Sequence, residues 1–112
     1  MDVADDLHPT ALVVSTRRDG SRRIVTLAGE LDLDTADEFT AAMSEVLTAE
    51  VSSVEVNAAE LGFADSAGLR ALLMARSSAE QVGARFRVIV ASPNVSRVIE
   101  IAGLSHLLSD GA

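Results

Sequence analysis

Several residue types are missing from the sequence, and each absence excludes a class of protein. There is no cysteine, which excludes disulfide frameworks and thiolate metal sites. There is no lysine, and nine arginines against seventeen acidic residues give a net charge of −8. This acidity argues against a nucleic-acid partner, because phosphate binding requires a basic face. No apolar run approaches the roughly 18 residues of a membrane-spanning helix, and the acidic start is unlike a signal peptide. We therefore expect a cytoplasmic protein without direct membrane insertion.

The composition fits one small domain with an aliphatic core. Apolar residues make up 48% of the 112 residues, but only three are phenylalanine and none is tryptophan or tyrosine. A chain of this length can bury such a core without metals or disulfides. Residues 1–10 hold three aspartates and show no periodicity. We predict that they form a flexible tail and that residues 11–112 form a single domain.

Two apolar, β-branched runs, Ala11–Thr16 and Ile24–Ala28, flank the pair Asp19-Gly20. Because Asp-Gly is a strong turn signal, these runs are predicted to form an antiparallel hairpin. Four arginines surround its tip and are either a solvated hairpin end or a binding surface. They are Arg17, Arg18, Arg22 and Arg23.

The rest of the chain alternates between helix and strand signals. A helix is predicted over Thr35–Ala49, where Thr35 and Glu38 have the spacing of a capping box. Val51–Asn57 indicates a short strand, and Ala58–Ala64 is expected to be a loop. The order βαβα places the later strands parallel to one another.

A second helix follows this loop and is predicted to run to about Gln81. Phe86–Ala91 is a continuous apolar run typical of a buried strand. The pair Ser92-Pro93 begins a third helix, which Gly103 ends, and Leu104–Leu108 is predicted to pack as a short edge strand. The expected fold is α/β: a small mixed sheet, with an N-terminal hairpin and then β-α units, on which the helices pack.

The pair Asp65-Ser66 stands where the second helix begins. Both residues are good helix caps, because their side-chain oxygens can accept from unpaired N–H groups of the first turn. A hydroxyl at this point lies at the positive end of the helix dipole, where a phosphate would be tolerated. Ser66 is therefore either a plain helix cap or a phosphorylation site.

No catalytic, cofactor or metal site stands out in the sequence. His8 and His106 lie near opposite termini without a carboxylate at metal-ligand spacing. There is no glycine-rich phosphate loop, and Ser66 lacks the flanking glycines of a nucleophile elbow. Glu30 and Asp32 are either an acid–base pair or a solvated, turn-forming connector. We predict a protein that is not an enzyme and holds neither a cofactor nor a metal.

A set of weak motifs in a fixed order resembles the STAS domain, and more narrowly the bacterial anti-sigma factor antagonists. The motifs are Gly29–Asp32 with the Thr-Ala helix start behind it, Phe63–Leu69, Ser92-Pro93 and Ala102–Leu104, spread over residues 10–108. The resemblance implies a curved sheet with helices and control of transcription by partner switching. An unphosphorylated antagonist binds an anti-sigma factor that is also a serine kinase, and so releases the sigma factor. The kinase inactivates it by phosphorylation, and a PP2C-type phosphatase restores it.

The same resemblance assigns roles to individual residues. It implies that Ser66 is the phosphoacceptor, because it follows the aspartate of the motif, and that Asp32 is the acidic residue in the neighbouring loop. Ala67 stands where the family often has Ser or Thr, which removes an alternative acceptor hydroxyl. The residues predicted to form the partner-binding surface are Asp32, Asp65, Ser66, Ala67, Gly68 and Arg70.

Arg70 lies one helical turn after Ser66 on the same face. It could hold the phosphate, pair with Asp65 or Glu30, or be an ordinary exposed arginine.

Two other functions remain open for the protein. One is a STAS subunit of a membrane transporter complex, which would bind a cytoplasmic ATPase without a phosphorylation switch. The other is a small nucleotide-binding protein, which the lack of a phosphate loop disfavours.

Overall fold

A four-stranded mixed sheet forms the centre of the molecule, and its strands lie in sequence order, β1-β2-β3-β4. Strands β1 (Val13–Asp19) and β2 (Arg22–Leu31) form an antiparallel hairpin. Strands β3 (Ser53–Ala64) and β4 (Arg85–Ala91) continue the sheet in parallel. This arrangement confirms the α/β fold predicted from the sequence, including the hairpin turn, where Gly20 has a φ of 63°.

The computed structural model describes residues 11–108. The predicted tail, residues 1–10, lies outside the described residues. Helix α1 (Ala36–Val46) joins β2 to β3, and helix α2 (Ser66–Gln81) joins β3 to β4. Helix α3 (Pro93–Ile101) and a 3₁₀ turn follow β4. Within the described range, no helix has the length and apolar character needed to cross a bilayer.

The core lies between one face of the sheet and the helices, and it is aliphatic as predicted. Alternate residues of the strands point into it, because side chains of a strand alternate between its two faces. Each fully buried aliphatic side chain contributes about 1.5–3 kcal/mol to folding. The largest fully buried residues are Phe39, Leu27, Leu31, Leu61, Leu72, Ile99, Leu107, Val25, Val54, Val56, Val88 and Val95.

The predicted loop Ala58–Ala64 is wrong, because these residues form the second half of β3. Leu61 pairs with Gly29, and Ala64 pairs with Leu31. Two register shifts interrupt this part of the β2–β3 ladder, so the buried residues recur every third position instead of every second. The alternation that indicates a strand is thereby lost from the sequence.

Three smaller predictions are also corrected. Helix α1 ends at Val46 instead of Ala49. Thr35 makes no side-chain cap hydrogen bond to α1, because its hydroxyl is engaged by the preceding loop. The segment predicted as an edge strand, Leu104–Leu108, instead contains the 3₁₀ turn Ser105–Leu107.

Candidate functional site

The candidate site lies at the end of the sheet where β2 and β3 finish side by side. Leu31 and Ala64 are register partners in the parallel ladder. The residues that follow them, the β2–α1 loop and the start of α2, are therefore neighbours in space although they are far apart in sequence. This pairing brings the acidic segment around Asp32 next to Asp65-Ser66, as expected from the motif resemblance.

Asp65 is the N-cap of α2. Its Oδ1 accepts a hydrogen bond from the backbone N–H of Gly68 at 2.8 Å. Its Oδ2 accepts from the N–H of Leu33 in the β2–α1 loop at 3.3 Å. The carboxylate thus fixes the first turn of α2 and ties it to the neighbouring loop.

Ser66 is the first residue of α2 and is exposed. Since Asp65 performs the capping, the Ser66 hydroxyl is not needed for it, and it makes no hydrogen bond to any residue in the range 11–108. The structure assigns the cap to Asp65, and phosphorylation of Ser66 stays a prediction. The free hydroxyl stands at the helix N-terminus, among N–H groups that lack helical partners.

Asp32 and Thr35 organise the loop beside Ser66. The Thr35 hydroxyl donates to the carbonyl of Glu30 at 2.8 Å and accepts from the N–H of Asp32 at 2.9 Å. Asp32 Oδ1 accepts from the N–H of Asp34 at 3.0 Å and from that of Thr35 at 3.1 Å. Asp32 therefore has a turn-forming role in the structure, and its contact with a partner stays a prediction.

Gly68 is buried against the end of β2. A Cβ placed on it would lie 2.1 Å from the carbonyl oxygen of Leu31 and 2.9 Å from its carbonyl carbon. Only glycine lets the first turn of α2 approach the strand so closely. Gly68 thus positions Ser66, and its contact with a partner stays a prediction.

A shallow groove of about 470 Å³ lies beside Ser66, between α2 and the start of α1. Ser66, Arg70 and Met74 lie along it at successive turns of α2, and Leu33 faces them from the β2–α1 loop. Leu33 is 77% exposed and Met74 is 59% exposed. Exposed apolar residues at a polar site are typical of a protein-binding surface. The remaining lining residues are Ala36, Asp37, Thr40, Ala67 and Ala71.

Leu33 and Met74 were not predicted as site residues. Leu33 has a signal in the sequence, because it is an apolar residue within the acidic run Glu30–Asp34. Met74 stands eight residues after Ser66, so helical spacing places both on one face of α2. Neither signal distinguishes an exposed apolar residue from a core residue without the tertiary structure.

Arg70 is exposed and lines the groove. Within residues 11–108 it forms no ion pair with Asp65 or Glu30, so the pairing considered from the sequence is wrong. Its guanidinium is available one turn beyond Ser66. The described residues also contain no cluster of three His, Asp or Glu side chains placed to hold a metal ion.

Comparisons with known proteins find a family model and solved structures that match most of the chain. The family model described as "Mlab, STAS domain" matches residues 14–109. The anti-sigma factor antagonist SpoIIAA in its unphosphorylated form is 25% identical, with a TM-score of 0.73 over 85% of this chain and 84% of that one. The phosphorylated form of SpoIIAA, described as a Bacillus cell fate determinant, gives 24% identity and a TM-score of 0.67 over 85% and 87%.

Two further structures share the fold. An anti-sigma factor antagonist from Mycobacterium paratuberculosis is 22% identical, with a TM-score of 0.76 over 90% of this chain and 86% of that one. The murine anion transporter Slc26a9 is 12% identical, with a TM-score of 0.70 over 88% of this chain but only 20% of the transporter. Because the family model covers nearly the whole chain, residues 14–109 of 112, this protein belongs to the STAS domain family.

Proposed function

We propose that this protein is a cytoplasmic anti-sigma factor antagonist that acts by binding and is not an enzyme. In its unphosphorylated form it binds an anti-sigma factor that is also a serine kinase, and this binding releases a sigma factor. The kinase phosphorylates Ser66 and thereby ends the interaction. A PP2C-type phosphatase restores the binding form. The likeness to SpoIIAA, solved in both unphosphorylated and phosphorylated forms, supports this proposal.

The position of Ser66 is the single observation that carries the proposal. Its hydroxyl is exposed at the start of α2, while Asp65 makes the capping bond to Gly68. A kinase can therefore reach the hydroxyl without opening the helix. A phosphate there would meet free N–H groups and the positive end of the helix dipole, so it would not disrupt the fold.

Local charge and apolar surface explain how phosphorylation would end binding. Phosphate adds about −1.5 to −2 units of charge at neutral pH. This charge would stand close to the carboxylates of Asp32 and Asp65, in the groove that the exposed side chains of Leu33 and Met74 also line. A partner docked on this surface would have to desolvate the phosphate or move away from it. The partner would thus no longer bind this surface, while the domain itself would stay folded.

Mass mapping after incubation with ATP and the anti-sigma factor kinase of the source organism tests the phosphoacceptor. We expect one phosphate on wild-type protein, none on Ser66→Ala, and one on Ser77→Ala. Ser77 is a matched control because it is an exposed serine on the same helix. Phosphate that persists on Ser66→Ala would contradict the assignment.

Calorimetric titration of the same kinase tests the switch. We expect Ser66→Asp to bind at least about tenfold more weakly than wild type, which corresponds to about 1.4 kcal/mol. Ser77→Asp adds the same charge elsewhere on α2 and should bind like wild type. Equal affinity of Ser66→Asp and wild type would contradict local blocking by charge.

A second candidate function is a STAS subunit of a membrane transporter complex. The fold shared with a domain of the anion transporter Slc26a9 favours it, and the groove beside Ser66 would then bind a cytoplasmic ATPase without phosphorylation. Co-purification from the source organism distinguishes the two functions. Recovery of a transport ATPase, with no kinase and no phosphate on Ser66, would favour the transporter subunit.

A further inference from the structure

Arg70 is the one cationic side chain among the residues that line the groove beside Ser66. It is exposed, and within the described range, 11–108, its guanidinium has neither a hydrogen bond nor an ion pair. Two arginines of the sheet are held more firmly, because Arg22 and Arg87 both pair with the carboxylate of Glu55, at 3.4 Å and 3.1 Å. The guanidinium of Arg70 is therefore free to bind an anionic group placed beside it.

Helical spacing directs Arg70 toward Ser66. The two residues stand one turn apart on α2, so their Cβ atoms are about 5–6 Å from each other. Side chains of a helix lean toward its N-terminus, and Ser66 is the first residue of this helix. The ion pair between Arg76 and Glu80 spans the same interval on α2 at 3.4 Å. The guanidinium of Arg70 can therefore reach a group bonded to the Ser66 oxygen.

The first turn of α2 offers few backbone donors to a phosphate on Ser66. The N–H of Gly68 donates to the Asp65 carboxylate at 2.8 Å, and that of Leu69 donates to the Asp65 carbonyl at 2.9 Å. Within residues 11–108, only the N–H groups of Ser66 and Ala67 lack a partner in this turn. A phosphate has three terminal oxygens that accept hydrogen bonds, so two donors leave part of it unbound.

The carboxylates around Ser66 oppose a phosphate there unless a cation offsets them. Asp65 precedes Ser66 in the chain, Asp32 belongs to the loop that Asp65 binds, and Asp37 lies on the opposite wall of the groove. A phosphate would add about −1.5 to −2 units of charge to this acidic surface. Arg70 supplies a cation beside it, and hydrogen bonds between a guanidinium and a phosphate are charge-assisted and often bidentate.

We propose that Arg70 binds the phosphate of Ser66 and holds it at the start of α2. This inference rests on the phosphorylation of Ser66 proposed above. The bound guanidinium lies toward the N-terminus of α2, away from Met74 at the next turn. Phosphorylation thus changes the groove in two ways. It adds negative charge at Ser66, and it withdraws the positive charge that a carboxylate of a partner can contact.

A phosphorus NMR titration of the full chain tests this contact, with phosphoserine introduced at position 66 during translation so that no kinase is needed. A guanidinium favours the doubly charged phosphate. Arg70→Gln should therefore raise the midpoint of the second ionisation by at least about 0.3 pH units, a twofold change in the acid constant. Arg70→Lys keeps the charge and should raise the midpoint less. The control Arg76→Gln removes the same charge about 15 Å from Ser66 along α2, beyond the Debye length, and should move the midpoint by less than about 0.1.

Three outcomes would overturn the proposal. An equal midpoint in wild type and Arg70→Gln would show that Arg70 does not contact the phosphate. An equal rise in Arg70→Gln and Arg76→Gln would show only a response to net charge, and an equal rise in Arg70→Lys would show that the cation is not what lowers the midpoint. Circular dichroism verifies that each variant is folded.

The titration and the kinase assay can fail separately. A kinase that leaves Ser66 unmodified would contradict the proposed function, whereas the titration would still measure the contact on the introduced phosphoserine. A midpoint that does not respond to Arg70 would contradict the contact alone, and Ser66 could still be the phosphoacceptor.

Discussion

Replacement of Gly68 by alanine tests the packing that positions Ser66. The new Cβ would lie 2.1 Å from the carbonyl oxygen of Leu31, about 1.3 Å short of ordinary van der Waals contact at 3.4 Å. The Leu31 carbonyl belongs to the backbone and the new Cβ is bonded directly to the backbone of α2, so no flexible side chain can move aside. The first turn of α2 must therefore shift away from the end of β2, and Ser66 shifts with it.

The expected loss of stability follows from two opposing effects. Replacing glycine by alanine within a helix ordinarily raises the free energy of unfolding by up to about 1 kcal/mol. Overpacking in a filled site lowers it by about 1–3 kcal/mol. A clash with a backbone carbonyl lies at the upper end of that range, so Gly68→Ala should lower the free energy of unfolding by about 2 kcal/mol. For a domain of this size the melting temperature should fall by about 8 °C.

Chemical denaturation measures the stability of Gly68→Ala, with Gly62→Ala as the control. Gly62 is exposed, and a Cβ there would lie 3.8 Å from the carbonyl oxygen of Gly29, which is ordinary contact. We expect Gly62→Ala to change the free energy of unfolding by less than about 0.5 kcal/mol. Equal stability of the two variants would refute the close packing inferred at Gly68. The rate of Ser66 phosphorylation should fall in Gly68→Ala alone.

Three further substitutions test the hydrogen bonds and ion pairs described above, each by chemical denaturation. Thr35→Val should lower the free energy of unfolding by about 2 kcal/mol, because two part-buried backbone groups lose their bond to the Thr35 hydroxyl. The control Thr40→Val, at an exposed position of α1, should change it very little. Asp65→Ala should lower the free energy of unfolding by about 1–2 kcal/mol. Asp65→Asn should lower it clearly less, because the amide keeps one acceptor oxygen. Equal losses in the two variants would contradict the capping role. Glu55→Gln should lower the free energy of unfolding by about 1 kcal/mol, because it removes the charge that pairs with Arg22 and Arg87. The control Glu60→Gln, at an exposed position of the same strand, should leave the free energy of unfolding unchanged.

The parts of the fold that local signals specify were predicted correctly. Asp19-Gly20 marked the hairpin turn, Ser92-Pro93 marked the start of α3, and the run Phe86–Ala91 marked β4. The second half of β3 was missed because its hydrogen-bonding partners belong to β2, and the register shifts between them remove the alternation of buried residues. A capping box at Thr35 was predicted from spacing alone. The carbonyl of Glu30, brought near by the end of β2, takes its hydroxyl instead.

Without the family resemblance, the candidate site was predicted only at Asp65-Ser66, where neighbours in sequence form it. Asp65 and Ser66 both have capping side chains, and spacing alone does not decide which of them caps the helix. Leu33 was overlooked because its exposure depends on where the β2–α1 loop lies beside α2. The partner roles of Asp32 and Arg70 rest on resemblance, and they stay predictions that binding measurements must test.

The sequence by itself determined the order of strands and helices, the aliphatic core and the position of Ser66 at the start of a helix, because these follow from periodicity and local hydrogen bonding. Only the tertiary structure decided which residues from distant parts of the sequence lie beside these elements. The parallel pairing of β2 and β3 places Leu33 beside Ser66, and the register of β3 and β4 places Glu55 beside Arg87. Contacts between distant segments depend on strand register, and no local pattern in the chain encodes it.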